Sequence, residues 1–339
     1  LALIGPGRDV GELALWVGDR RSATVRTVVP TRAARLTREA FTRFTQRHPD
    51  VVAGIDRHVG RRLRHAQLGL ALHASGLFGE LQEGVLRELE ALLEPVWIEG
   101  GSTVFRQGDE GDALYLVISG LMQVLLEQAG EEPRILAALG PGEILGEMAL
   151  LGNEPRSATV RALRDSQLAR LARADCERLL ARRPEALMVV TRKLVARLRA
   201  QNAGPRRPNR ALTTIAVVPA AEGVPASDFC GRLAASLRAH GPTLEVSSAW
   251  LEAHVGHLGA AQAAQTEAGH GRLLELLGKL EADHRFVIYQ ADASESAWTA
   301  RCLRQSDHVL IAATAASDPR PGAAELAAAR ALRQRPGSR

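Results

Sequence analysis

Cysteine is scarce in this sequence. Three occur in 339 residues, Cys176, Cys230 and Cys302. They are too far apart for a C-x-x-C pair, which excludes a disulfide framework or a zinc knuckle and suits a reducing compartment. No stretch approaches the roughly 20 consecutive apolar residues that a membrane-spanning helix needs, and no charged-then-apolar leader opens the chain. Both G-x-S-x-G and a glycine-rich oxyanion loop are missing, so no serine-hydrolase machinery is legible here. His254 and His257 have H-x-x-H spacing with no third ligand, and they read as surface histidines. Cys302 sits in an amphipathic helix pattern and reads as core packing. The formal charge is +5, but the arginines are scattered through helices and one linker rather than gathered in a run. Nucleic acid is therefore not expected as a partner. These signs point to a soluble chain, expected in the cytoplasm, that has no catalytic residues of its own and binds no metal.

What is present is concentrated between Gly146 and Val160, in GEMALLGNEPRSATV. Arg156 offers a planar fork for a phosphate, and Glu147 an acceptor for a sugar hydroxyl. Gly146, Ala149 and Ala158 are small enough to let backbone N–H groups approach an anion. The run EMALL predicts a helical turn opening at Gly146, and a helix start adds unpaired N–H groups and a positive dipole end. Gly152, Asn153 and Pro155 are expected to turn the chain so that Arg156 returns over that helix start. A cation, donors and a carboxylate this close together suit a cyclic nucleotide, whose phosphodiester and ribose 2′-hydroxyl are neighbours.

The stretch resembles the phosphate-binding cassette of cyclic nucleotide-binding domains, G-E-x-A-L, a turn, then R-[ST]-A-T-V. Upstream, Gly101 to Gly120 (GSTVFRQGDEGDALYLVISG) resembles the strand-turn-strand signature of the same β-roll. The resemblance implies a site made by Gly146, Glu147, Met148, Ala149, Arg156, Ser157, Ala158 and Thr159. It also implies that the last helix of the domain acts as a lid over the base. The hydroxyls of Ser157 and Thr159 bear on the choice of base, and cAMP and cGMP both stay open. No other cofactor is expected.

Sliding the chain against itself by 135 positions places Arg156 on Arg21, RSATVR on RSATVR, and LAALGPGEILGEMAL on LALIGPGRDVGELAL. Roughly four in ten aligned positions agree, which calls for duplication. Residues 1–65 therefore look like the C-terminal half of a first, truncated cyclic nucleotide-binding domain, with Gly11, Glu12, Ala14, Arg21, Ser22, Ala23 and Thr24 as its cassette. Its front strands are missing, so weak stability is expected. The chain begins at Leu1 in mid-domain, as a fragment would.

Residues 66–202 form the complete copy. An entry helix is expected over 77–94, closed by Pro95, and seven short β-branched runs between Val96 and Ala172 predict an antiparallel, jelly-roll-like β-roll. Two helices divided by Pro184 follow, the second with a stripe of Leu187, Val190, Leu194 and Leu198. The prolines and arginines of 203–211 mark a linker. From 212 to 339, strands alternate with helices, predicting a parallel, doubly wound, Rossmann-like α/β domain. Its first helix, from Ala226, is expected to have a serine or aspartate cap and a glycine stop. No G-x-G-x-x-G follows its first strand, so no dinucleotide site is expected.

This order of parts resembles the regulatory region of the neuropathy target esterase family of patatin-like phospholipases. The residues that carry the likeness are Val217–Pro219, Gly241–Thr243, Tyr289–Asp292, Trp298–Cys302 and Arg304–Leu310. It implies a regulatory module that senses cAMP or cGMP and controls a C-terminal hydrolase lying outside this chain, with any membrane association carried by other regions. Three alternatives differ in class: a lysophospholipase activity of the intact parent, a catabolite-activator-type transcription regulator, and a scaffold that keeps the cassette without binding. A regulator would need a helix-turn-helix after the lid, where strand-rich TTIAVVP stands instead.

Overall fold

The structure is a computed structural model. It describes residues 3–11, 24–48, 65, 67–128, 130–152, 154–201, 213–255, 259–262, 268–315, 317 and 320–333. Of the first-copy cassette, Glu12, Ala14, Arg21, Ser22 and Ala23 lie outside these residues, as does the linker at 203–211. Gly11 and Thr24 are described. Residues 24–37 form no strand and are exposed. Helix α1 (Arg38–Arg47) follows, capped by Thr37, whose hydroxyl accepts from Ala40 N at 3.3 Å.

Among the described residues the β-roll holds eight strands: β1 (Glu94–Ile98), β2 (Thr103–Phe105), β3 (Ala113–Ser119), β4 (Met122–Leu126), β5 (Arg134–Leu139), β6 (Ile144–Leu145), β7 (Thr159–Ala162) and β8 (Ser166–Ala172). They form two antiparallel sheets, ordered β1-β8-β3-β6 and β2-β7-β4-β5. Alternation along β3 shows why the roll has two cores. Leu114, Leu116 and Ile118 face a helical layer, joining Leu72, Phe78, Val85, Leu86, Leu89, Cys176 and Leu179. Val117 points the other way, into the roll, with Met122, Leu139, Leu145, Val160 and Leu168. Each fully buried side chain of this kind contributes about 1.5–3 kcal/mol. Gly120 (φ +95°) makes the tight turn from β3 to β4, and a Cβ there would collide with Ser166.

The helical layer contains 67–74, α2 (Glu83–Leu92), α4 (Arg173–Arg182) and α5 (Pro184–Gln201), and the short cassette helix α3 (Glu147–Gly152) lies on the roll. Three expectations are corrected. The entry helix runs from Glu83 to Leu92 rather than over 77–94: residues 77–82 are turns and irregular backbone, and Pro95 sits inside β1 opposite Ala169. The residue before a proline disfavours helical backbone, and a proline is tolerated on an edge strand such as β1. The two-residue β6 is too short to show as a run in sequence. The stripe on α5 is split: Ala186 and Val190 are buried, with Val189 packed beside them, while Leu187 is 43% exposed. The packed face is centred between the positions the pattern suggested, and the side chains of Leu194 and Leu198 lie outside those described. Pro184 does divide the two helices, as the first residue of α5, where its missing N–H costs nothing.

The second unit runs β9 (Thr213–Pro219), α6 (Ala226–Arg238), β10 (Thr243–Ser247), α7 (Ser248–Val255), α8 (Ala268–Asp283), β11 (Phe286–Gln290), α9 (Ala297–Gln305), β12 (His308–Ala312) and α10 (Ala323–Arg333). All pairings are parallel, as expected for alternating strands and helices. The order β10-β11-β9-β12 is 2-3-1-4 in chain order, not the 3-2-1-4 of a Rossmann sheet. The connection from β9 through α6 passes over the position that β11 later fills, and α6 packs across β9, β10 and β11 together. Alternation again sorts the two faces. Val217 and Ile288 meet Cys230 and Ala234 of α6, while Ala216, Val218, Val287 and Tyr289 meet Leu277, Trp298, Cys302 and Ala324. The expected serine or aspartate cap of α6 is not used. Pro225 is the N-cap and makes no side-chain cap bond, because Ser227 lies within the first turn and its hydroxyl pairs with Gln290 at 3.1 Å.

Candidate functional site

The cassette residues converge where β6, α3 and β7 meet. Gly146 (φ +77°) bends the chain between β6 and the helix that opens at Glu147, and a Cβ at this point would collide with Arg156 Nη1. Glu147, Ala149, Arg156, Ala158 and Thr159 are buried, whereas Met148 and Ser157 are exposed. The helical turn opening at Gly146 is present. Asn153 lies outside the described residues, while Gly152 ends α3 and Pro155 precedes Arg156 in irregular backbone.

Arg156 is 2% exposed. Its Nη1 donates to the Gly146 carbonyl at 3.1 Å and its Nη2 to Asp112 Oδ1 at 3.2 Å. The guanidinium carbon lies 4.2 Å from the centre of the Phe105 ring. Burial lowers the guanidinium's pKa from its ordinary value, opposed by Tyr115 and Asp112, and it stays charged at neutral pH. Its Nε is buried with no hydrogen-bond partner among the described residues. A buried cation with a donor to spare, beside a glycine bend and a helix start, is arranged to receive an anion.

Backbone pairing fixes the arginine's place. Arg156 N donates to Asp109 O at 2.8 Å, Gly108 N donates to Arg156 O at 2.9 Å, and Gln107 N donates to Thr159 Oγ1 at 2.9 Å. Asp112 is shared, accepting from Arg170 Nη2 at 2.8 Å as well. Burial pushes the Asp112 carboxyl up, but the hydrogen bond and charge of Arg170, with Arg156 behind them, outweigh it and hold the pKa below the usual range. Arg173 clamps the cassette helix to the loop before β3, donating to Ala149 O at 3.0 Å and to Gly111 O.

Sequence reasoning missed Phe105, Asp112, Arg170 and Arg173. The repeat holds a signal for the last two, since Arg35 and Arg38 occupy their positions in the first copy. Elsewhere, His254 stacks on Trp250 at 4.3 Å, and His257 lies outside the described residues. No group of three or more metal-ligating side chains occurs among the described residues. Burial pushes the thiol pKa of Cys302 well above its ordinary value, against a nucleophilic role. The parallel sheet from Thr213 onward leaves no helix-turn-helix after α5 among the described residues.

Residues 95–183 match the family model described as a cyclic nucleotide-binding domain, and residues 211–332 match the neuropathy target esterase family P-loop-like domain. The chain carries these two domains in that order. Patatin-like phospholipase domain-containing protein 7 of Mus musculus is 29% identical over 346 residues, covering 96% of this chain and 24% of its own length. Protein 6 of the same name in Homo sapiens is 28% identical over 352 residues, covering 97% and 24%. Neuropathy target esterase sws of Drosophila virilis is 30% identical over 322 residues, covering 91% and 20%. The chain thus spans about a quarter or less of the length of the curated relatives it matches. Two adjoining domain matches and collinear relatives fit the regulatory region of the neuropathy target esterase family. In the P-loop-like domain, the loop Ala220–Pro225 that follows β9 has neither a G-x-G-x-x-G nor a lysine.

Proposed function

We propose that residues 66–202 are a sensor for cAMP or cGMP, and that the chain is a regulatory module for a patatin-like lipid esterase in the intact parent protein. The buried Arg156, with its unpartnered Nε beside Gly146 and the start of α3, carries this reading. Arg156 pairs with the cyclic phosphate, backbone N–H groups around Ala149 and Ala158 support it, and Glu147 accepts from the ribose 2′-hydroxyl. The end of α5 serves as the lid. Thr159 Oγ1 already accepts from Gln107 N and keeps its own hydrogen to donate, so both bases stay in play. The names of the relatives supply the hydrolase half of the proposal. We place the module in the cytoplasm, where its three buried thiols stay reduced, and assign it no cofactor beyond the nucleotide.

Residues 1–65 are proposed as the back half of a preceding copy. Shifted by 135, α1 (Arg38–Arg47) falls on α4 (Arg173–Arg182) with both ends in register. The C-caps match as well, His48 at φ −131°, ψ 67° and Arg183 at φ −130°, ψ 72°. Gly11 and Gly146 share φ +77°.

Displacement of a fluorescent cyclic nucleotide by cAMP, cGMP and 5′-AMP tests the reading. Saturable displacement by a cyclic nucleotide is expected, weakened about ten-fold by Glu147→Gln, with little effect of 5′-AMP, whose phosphate is a doubly charged open chain. Equal competition by 5′-AMP, or no binding of any of the three by folded protein, contradicts it.

A further inference from the structure

The two domains meet around one turn of the β-roll, Leu163–Asp165, which joins β7 to β8 and so directly continues the cassette strand, and beside it where α8 packs on β3 and β8, with Gly278 against Ser119. Its two charged residues are buried and point into the α/β domain. Arg164 Nη2 donates to both oxygens of Asp307, at 3.1 and 3.2 Å, and its Nη1 lies 3.7 Å from Glu281. Behind them, Tyr289 donates to Glu281 at 2.7 Å, and Thr214 donates to Asp307 through both its backbone N and its hydroxyl. Asp165 Oδ1 accepts from Arg304 Nε and from Gly100 N, both at 2.8 Å, and Arg304 also pairs with Glu99 at 3.4 Å. The contact lies at the amino-terminal end of the sheet, where Thr214 and Asp307 stand at the starts of β9 and β12.

Two further observations set this turn apart. At the shift of 135, where RSATVR agrees in both copies, Arg164 and Asp165 are replaced by Val29 and Pro30. The charges appear only in the copy that an α/β domain follows. The junction is also incompletely satisfied: Arg164 Nε, Asp165 Oδ2, Gln167 Oε1 and Gln305 Oε1 are buried without hydrogen-bond partners among the described residues. Buried charge networks left partly unmet are poorly stabilised for their size, and removing one member exposes the others to the full desolvation cost.

We propose that Arg164 and Asp165 form a latch through which the α/β domain holds strand β7, and with it the cyclic nucleotide cassette. The cassette runs into β7 as far as Val160, so only Arg161 and Ala162 separate it from the turn, and β7 is paired on both edges, with β2 and β4. It therefore transmits a displacement of the turn as a unit. Arg164, Asp165, Glu281, Arg304 and Asp307 are positioning residues for the site.

The test uses the whole chain. Amide hydrogen exchange is followed in peptides over 156–166 and, as reference within the same roll, over the edge strand β5 at 134–139, for wild type, Asp307→Asn, Arg164→Met and the double variant. The latch predicts exchange about ten-fold or more faster in 156–166 with β5 little changed, and a double variant no worse than the worse single one. Glu295→Gln, which breaks only the exposed pair with Arg330, leaves both peptides unchanged. Unaltered exchange at 156–166 in folded variants overturns the proposal, and so does equal acceleration in β5. Should Asp307→Asn not fold, Arg304→Gln carries the same prediction. Titration with cAMP and cGMP adds an arm that rests on the sensor reading: Asp307→Asn weakens a nucleotide that wild type binds by several-fold. A wild-type chain that binds neither contradicts the sensor, while the exchange result still decides the latch.

Discussion

Residues 21–26 and 156–161 are both RSATVR, and their surroundings differ sharply. Val160 is 3% exposed within β7, paired with Phe105 and Val124, whereas its counterpart Val25 is 63% exposed in a segment without a strand. Further along, Leu171 is fully buried and its counterpart Leu36 is 52% exposed. The helices that follow are the same length and end the same way. The local part of the structure, a ten-residue helix with the same C-terminal turn, is thus formed in either copy, although Thr37 caps the first and Ala172 makes no side-chain cap bond in the second. The sheet part comes from partners distant in sequence, β2 and β4, which hold β7 on both edges.

The largest break between the copies is expected in stability. Leu171→Ala should cost about 2–5 kcal/mol in urea unfolding, because it empties a packed site, while Leu36→Ala should stay within about 0.5 kcal/mol. A comparable loss at both positions would mean that residues 24–37 are folded into a core after all.

Thr159→Val comes next. It leaves the Gln107 N–H without its acceptor and should cost about 0.5–1.5 kcal/mol by the same method, against almost nothing for Thr24→Val.

The smallest effect separates the two turns, Arg164–Asp165 and Val29–Pro30, by pH. Burial raises the Glu281 pKa above its ordinary value, and Arg164 and Tyr289 offset this only in part. A carboxyl raised in the folded state binds its proton more tightly there than in the unfolded chain. Its contribution is therefore most favourable below the ordinary glutamate range and is lost as pH rises through the raised value. Glu281→Gln should flatten that decline in a series of thermal melts; an unchanged slope would show that Glu281 does not titrate there.

The cassette was legible because its chemistry is local: Gly146 to Thr159 places the bend, helix start, carboxylate and cation within 14 consecutive residues. The partners of Arg156 were not, since Asp112 is 44 positions away and reaches it only once β3 and β7 are in place. The strands of the α/β domain were legible one by one from their apolar runs. Their order was not, because the position where a crossover lands depends on which strands α6 spans. The interdomain turn was visible only as a difference between repeats, and nothing in Arg164 or Asp165 alone points to Asp307 or Arg304.

Calorimetric titration of cAMP and cGMP into the wild-type chain, Arg156→Ala and Arg21→Ala tests the central claim most directly. The expected result is saturable binding at one site, weakened by about 2 kcal/mol or more in Arg156→Ala and unchanged in Arg21→Ala. Binding that survives Arg156→Ala in folded protein, or that depends equally on Arg21, would contradict it.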